Sequence, residues 1–136
     1  MRSLLSRLSL SLAALLVGFS VFAGCQSADS KILTLTMGDH GRAVRAWKGQ
    51  PIRIVLEGNP TTGFTWLVDD LDTKIIAATG TPTYAPSGDV VGGGGKFTLN
   101  FVALDHGQTN MRVIYIRPSE RGLAPAKTFA IMITVD

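Results

Sequence analysis

The sequence is 136 residues long, carries 13 Lys and Arg against 10 Asp and Glu, and holds one cysteine and two histidines. That length leaves room for one domain, and a single cysteine excludes a framework of intrachain disulfides. A formal charge of +3 calls for neither nucleic acid nor another polyanion as partner.

In chain order, the first segment reads as a leader rather than as part of the domain. Arg2 and Arg7 give a positive start, Leu8 to Val21 is apolar, and the small residues Ala23 and Gly24 precede Cys25. The apolar run is short for a membrane span and fits a secretory signal over residues 1–24. Phe22-Ala23-Gly24-Cys25 resembles a bacterial lipobox, with Phe22 where Leu is usual. The resemblance implies a lipid-modified Cys25 as the first mature residue, anchoring the chain to a membrane and facing the periplasm or the cell surface; the alternative is ordinary signal cleavage nearby with a free thiol left in the tail. Gln26, which is not the Asp that retains lipoproteins in the inner membrane, leans toward the outer one. Residues 25–30 are then the anchor and a polar tether. Without Arg2 and Arg7 the balance falls to eleven basic residues against ten acidic.

From residue 31 the apolar period is two. Leu33, Leu35 and Met37 alternate with threonines, and Ile52, Ile54 and Leu56 repeat the pattern. Phe64, Trp66 and Val68 follow, then Phe97, Leu99, Phe101 and Ala103, then Met111, Val113 and Tyr115, and finally Phe129, Ile131, Ile133 and Val135. Ala43–Trp47 and the weak segment around Ile75–Tyr84 offer further short strands, and Leu71–Ala78 alone has the length of a short helix. Gly38-Asp39, Gly49-Gln50-Pro51, Asp105-His106-Gly107 and Arg117-Pro118 punctuate the runs. About seven strands in some hundred residues predict an all-β domain over 31–136, an immunoglobulin-like β-sandwich. Trp47 and Trp66 are expected in its core or along its edges.

Three connections stand out. Asn59-Pro60-Thr61-Thr62-Gly63-Phe64 is uncharged and has its backbone restricted by Pro60. Gly92-Gly93-Gly94-Gly95 is costly to order, and serves either as a flexible loop or as a place of close backbone approach. It is not a phosphate loop, because Phe97 stands where Ser or Thr is required and a strand follows. Arg117-Pro118-Ser119 opens a loop closed by Pro125. With Pro51–Glu57 as strand B and Phe64–Asp69 as strand C, these are the B–C, D–E and F–G loops, which cluster at one end of such a sandwich.

Those motifs, in that order, resemble the chagasin-type inhibitors of cysteine proteases. The resemblance implies a reversible inhibitor whose three loops enter the active-site cleft of a papain-like cysteine protease as a wedge, with Thr61 and Thr62 nearest the catalytic cysteine. Ser119 departs from the family pattern, which has Trp there. The alternative is a periplasmic or surface binding module of the same fold that does not inhibit. An enzyme is the weaker reading: His40 and His106 each follow an Asp at a turn and make no catalytic set or metal spacing. No metal or cofactor is expected, and a monomer is the default.

Overall fold

The computed structural model describes residues 31–136; the leader, Cys25 and the tether lie outside the described residues. Among the described residues nine strands form: β1 (Leu33–Thr36), β2 (Ala43–Ala46), β3 (Pro51–Gly58), β4 (Thr65–Asp70), β5 (Ile76–Ala78), β6 (Thr83–Pro86), β7 (Gly95–Ala103), β8 (Gly107–Ile116) and β9 (Lys127–Val135). They make two sheets. One runs β1-β3-β7-β5, with β6 also paired to β7; the other runs β2-β9-β8-β4. The alternation of apolar residues is what builds this sandwich. Ile52, Ile54 and Leu56 of β3 and Phe97, Leu99 and Phe101 of β7 are buried from one sheet. Met111, Val113 and Tyr115 of β8 and Phe129, Ile131 and Ile133 of β9 meet them from the other. Each such side chain contributes about 1.5–3 kcal/mol on full burial.

The strands beyond the expected seven come from two segments that break. The first strand changes sheets. β1 pairs in parallel with β3, whereas β2 pairs in parallel with β9. Between them Met37–Asp39 forms a 3-10 turn, in which Asp39 Oδ2 accepts from the Thr36 amide at 2.9 Å. His40 then fastens the turn to β9, its Nδ1 accepting from the Ala130 amide at 3.0 Å. Met37, expected in the core, is consequently 39% exposed. The second broken segment is 71–86. Its first part turns through Asp72 and forms no helix, because Ile76–Ala78 pairs with Ala103–Phe101 of β7. Val68 is also exposed rather than buried: it pairs with buried Val113 but stands on β4, the edge strand of its sheet, where regular pairing with β8 ends. Trp66 is fully buried, whereas Trp47 lies on the β2–β3 turn and is 49% exposed.

Three aspartates titrate below their usual range. Asp39 is lowered first by the Thr36 amide, Asp105 by its hydrogen bond from Lys48 and Asp136 by that from Arg45. A depressed carboxylate stabilises the fold above its ordinary pKa, and that contribution goes as pH falls through the lowered value. All three are solvated, so the acid effect is small.

Candidate functional site

The site is built by strands that end together. β3 delivers Asn59, β4 begins just after Phe64, β6 and β7 flank the glycine loop, and β8 delivers Arg117. All three loops singled out in the sequence therefore converge at one end of the sandwich, and hydrogen bonds join them.

Asn59 is the hub. As the residue preceding the 3-10 turn Pro60–Thr62, its Oδ1 accepts from the Thr61 amide at 3.1 Å and from the Thr61 hydroxyl at 2.6 Å. Its backbone carbonyl accepts from the Thr62 hydroxyl at 2.6 Å. Pro60 occupies the first position of the turn, where no amide proton is needed, and Gly63 closes it at φ 81°. The remaining amide group of Asn59, Nδ2, crosses to the glycine loop and donates to the Gly92 carbonyl at 2.8 Å. One side chain thus shapes the first loop and ties it to the second.

Arg117 ties the first loop to the third. Its Nε donates to the Thr62 carbonyl at 3.0 Å, and its guanidinium lies 4.5 Å from the centre of the Phe64 ring. Phe64 in turn stacks on Tyr115 at 5.1 Å between centroids, and Tyr115 packs on Trp66 at 5.0 Å. Arg117 is therefore a brace rather than a free cation. Glu120 adds a longer contact to it at 3.4 Å.

Pro60, Thr61, Thr62 and Gly63 are all exposed. Both threonine hydroxyl protons are committed to Asn59. The tip can offer a partner apolar methyls, hydroxyl lone pairs and backbone groups, but no charge and no free hydroxyl proton. Such a surface can enter a narrow cleft without stranding an ion.

The glycine run is a structured turn. The Gly93 amide donates to the Val90 carbonyl at 2.9 Å, with Gly92 at φ 79° supplying the left-handed position. Gly95 is buried and faces Gly58 across the β3–β7 ladder. A Cβ at Gly58 would sit 2.8 Å from the Phe97 ring and 2.9 Å from that of Tyr115. These two glycines leave room for the rings of Phe97, Tyr115 and Tyr84 to pack against the strands beneath the loops. Val90 and Val91 stand out at 77% and 100% exposure, and Leu123 on the third loop at 66%. Pro118 and Ser119 lie exposed on a 3-10 turn between Arg117 and Leu123.

Sequence reasoning missed Tyr115 and Gly58 as parts of this site. Tyr115 reads there as one more inward-facing strand residue. Its hydroxyl accepts from the Asn59 amide at 2.7 Å and donates to the Asn59 carbonyl at 3.2 Å. A tyrosine rather than Phe at the end of a core run was the available signal, since a buried phenol needs a partner. Tyr115→Phe is expected to cost about 1–2 kcal/mol of stability. Hydrogen exchange at the Asn59 amide should quicken tenfold or more; unchanged protection would remove Tyr115 from the site. Among the described residues no group of three or more His, Cys, Asp or Glu could hold a metal ion.

Comparison with known proteins gives the geometry a context. Residues 45–133 match the family model of the chagasin family peptidase inhibitor I42. Amoebiasin-1 of Entamoeba histolytica is 28% identical over 109 residues, which cover 76% of this chain and 100% of that protein. The crystal structure of the cysteine protease inhibitor EhICP2 of Entamoeba histolytica gives a TM-score of 0.69 at 22% identity, covering 77% of this chain and 96% of that one. PbICP-C, solved in complex with falcipain-2, gives 0.53 at 20% identity, covering 77% and 89%. At those identities the two structures attest the fold.

Proposed function

The chain belongs to the chagasin family of peptidase inhibitors, and from that premise we propose that it inhibits papain-like cysteine proteases reversibly, its three loops entering the active-site cleft as a wedge. The observation that carries this reading is the cross-linking of the loops. Asn59 and Arg117 hold an uncharged tip in place before any partner arrives, so little conformational entropy remains to be lost on binding. The tip chemistry suits a cleft containing a thiolate, because it brings neither an anion nor a scissile bond in a free, extended backbone. The names of the relatives point the same way: EhICP2 is a cysteine protease inhibitor, and PbICP-C was captured on falcipain-2. Bound chain should protect the catalytic cysteine of papain from iodoacetamide. Alkylation at the unprotected rate in a saturated complex would rule out insertion at the cleft.

Ser119 sets the strength of the contact. It stands exposed on the third loop at the place where the family pattern has Trp. Losing an aromatic anchor costs about 2 kcal/mol, roughly thirtyfold in affinity. Leu123 on the same loop, with Val90 and Val91 on the second, supplies the exposed apolar surface that remains. Ser119→Trp is expected to tighten binding to papain by about tenfold or more. Equal or weaker inhibition by that variant would place Ser119 outside the contact.

We propose further that Cys25 carries a lipid and holds the domain at a membrane, in the outer membrane by the leaning of Gln26, facing the periplasm or the cell surface. The support is the order of Arg2 and Arg7, an apolar run, and Phe22-Ala23-Gly24-Cys25. Cys25→Ser should abolish labelling by radioactive palmitate and release the chain from membranes. Labelling that persists in the variant would refute the assignment.

A further inference from the structure

At the pole opposite the loops, three segments converge on one buried polar side chain. Gln50 is 2% exposed. Its Oε1 accepts from the Trp47 amide at 3.1 Å, and its Nε2 donates to the Lys31 carbonyl at 2.9 Å. Its own carbonyl accepts from the Ala103 amide at 3.0 Å, and the adjacent Gly49 amide donates to the Ala103 carbonyl at 2.8 Å. The start of the described chain, the β2–β3 turn and the β7–β8 turn are thereby held together. Each contributes a large apolar side chain to solvent: Ile32 at 41% exposure, Trp47 at 49% and Leu104 at 42%.

Isolated apolar residues on a surface need no explanation. Here three of them, from three segments, flank one fixed latch, and one is a tryptophan, the side chain that favours the boundary between hydrocarbon and headgroups. The carboxylates beside them are already paired, Asp105 with Lys48 at 3.1 Å and Asp136 with Arg45 at 2.7 Å. Lys31 adds a cation at the same pole.

What covers this surface follows from where the chain comes from. Only residues 26–30 separate Cys25 from Lys31, a reach of about 20 Å when fully extended. A lipid on Cys25 therefore brings this pole, and not the loops, to the bilayer. β3 runs from Pro51 at this pole to Gly58 at the loops, which sets the loops about 25 Å farther out. We infer that Ile32, Trp47 and Leu104 form a bilayer-contacting surface that seats the anchored domain upright and turns its inhibitory loops away from the membrane. The inference rests on the proposed lipid anchor.

The test uses the lipidated full chain reconstituted into vesicles of phosphatidylethanolamine and phosphatidylglycerol containing a phosphatidylcholine brominated on its acyl chains. Trp66 is fully buried and provides the unquenched baseline. Trp47 emission should be quenched, and Trp47→Phe should lose that quenching. Replacing Ile32 and Leu104 together by Ser should reduce it at least twofold while the chain stays on the vesicles through Cys25. A vesicle-bound wild type quenched no more than Trp47→Phe would overturn the seating and leave the anchor intact. A chain that never binds the vesicles would overturn the anchor, and the seating with it. Shielding of Trp47 that tracks dimer formation in sedimentation, without bromine quenching, would assign the surface to a second copy and equally overturn the proposal.

Discussion

Asn59→Asp raises the inhibition constant against papain by about a hundredfold, a loss of roughly 2.7 kcal/mol, while shifting Tm by no more than a few degrees. The substitution is nearly isosteric, and Asp retains the acceptor that shapes the Pro60–Thr62 turn. It removes only the donor. The bond from Nδ2 to the Gly92 carbonyl disappears, and a carboxylate now faces that carbonyl. The second loop is released, and an ion is placed at the root of a tip that must be desolvated on binding. The pH dependence identifies the cause. A protonated carboxyl regains an O–H that can donate to Gly92, so inhibition by this variant should recover as pH falls below about 4. Wild-type inhibition owes nothing to titration at the tip, because Pro60, Thr61, Thr62 and Gly63 have no ionisable side chain. A variant that inhibits like wild type at neutral pH would show that the loops do not act as one unit.

Gly95→Ala produces the largest loss of stability of any single added methyl group at this end. Its Cβ would run into the Ala85 carbonyl of the paired strand and lie 2.6 Å from the Tyr84 ring and hydroxyl. Backbone on one side and a packed aromatic on the other leave it little room to relax. An overpacked site of this kind costs about 3 kcal/mol, which for a domain of this size lowers Tm by about 10–20 °C. Inhibition should fail in parallel, since β6 and β7 carry the second loop. Gly122→Ala is the matched control, because nothing lies within 4 Å of a Cβ there. Equal melting temperatures for the two variants would contradict the packing described.

Much of this was legible in the residues. Period-two alternation found every long strand, because a sandwich strand has one wet face and one dry face. Pro60, Gly63 and the glycine run marked the loops, because turn chemistry is local. What escaped was tertiary. Alternation cannot say that a strand will change sheets, so Met37 was expected inside. It cannot see that β4 lies at a sheet edge, so it places Val68 inside too. Trp47 satisfies a core pattern by composition, yet it occupies a turn. In sequence the site is three separate loops, whereas its coherence comes from Asn59, Tyr115 and Arg117 bonding across 33, 56 and 55 residues of sequence. Such pairings leave no local signature in a single sequence. Gly58 shows the same limit, since its reason is two rings delivered by β7 and β8.

The most direct test is a titration of papain with the chain, followed with a fluorogenic peptide substrate. Activity should fall linearly to a 1:1 end point and recover fully on dilution, and inhibition should weaken at least tenfold when Thr61 and Thr62 are both replaced by Ala. Activity unaffected at micromolar chain, against papain and a second papain-like enzyme alike, would contradict protease inhibition and mean that the loop end serves a different protein partner.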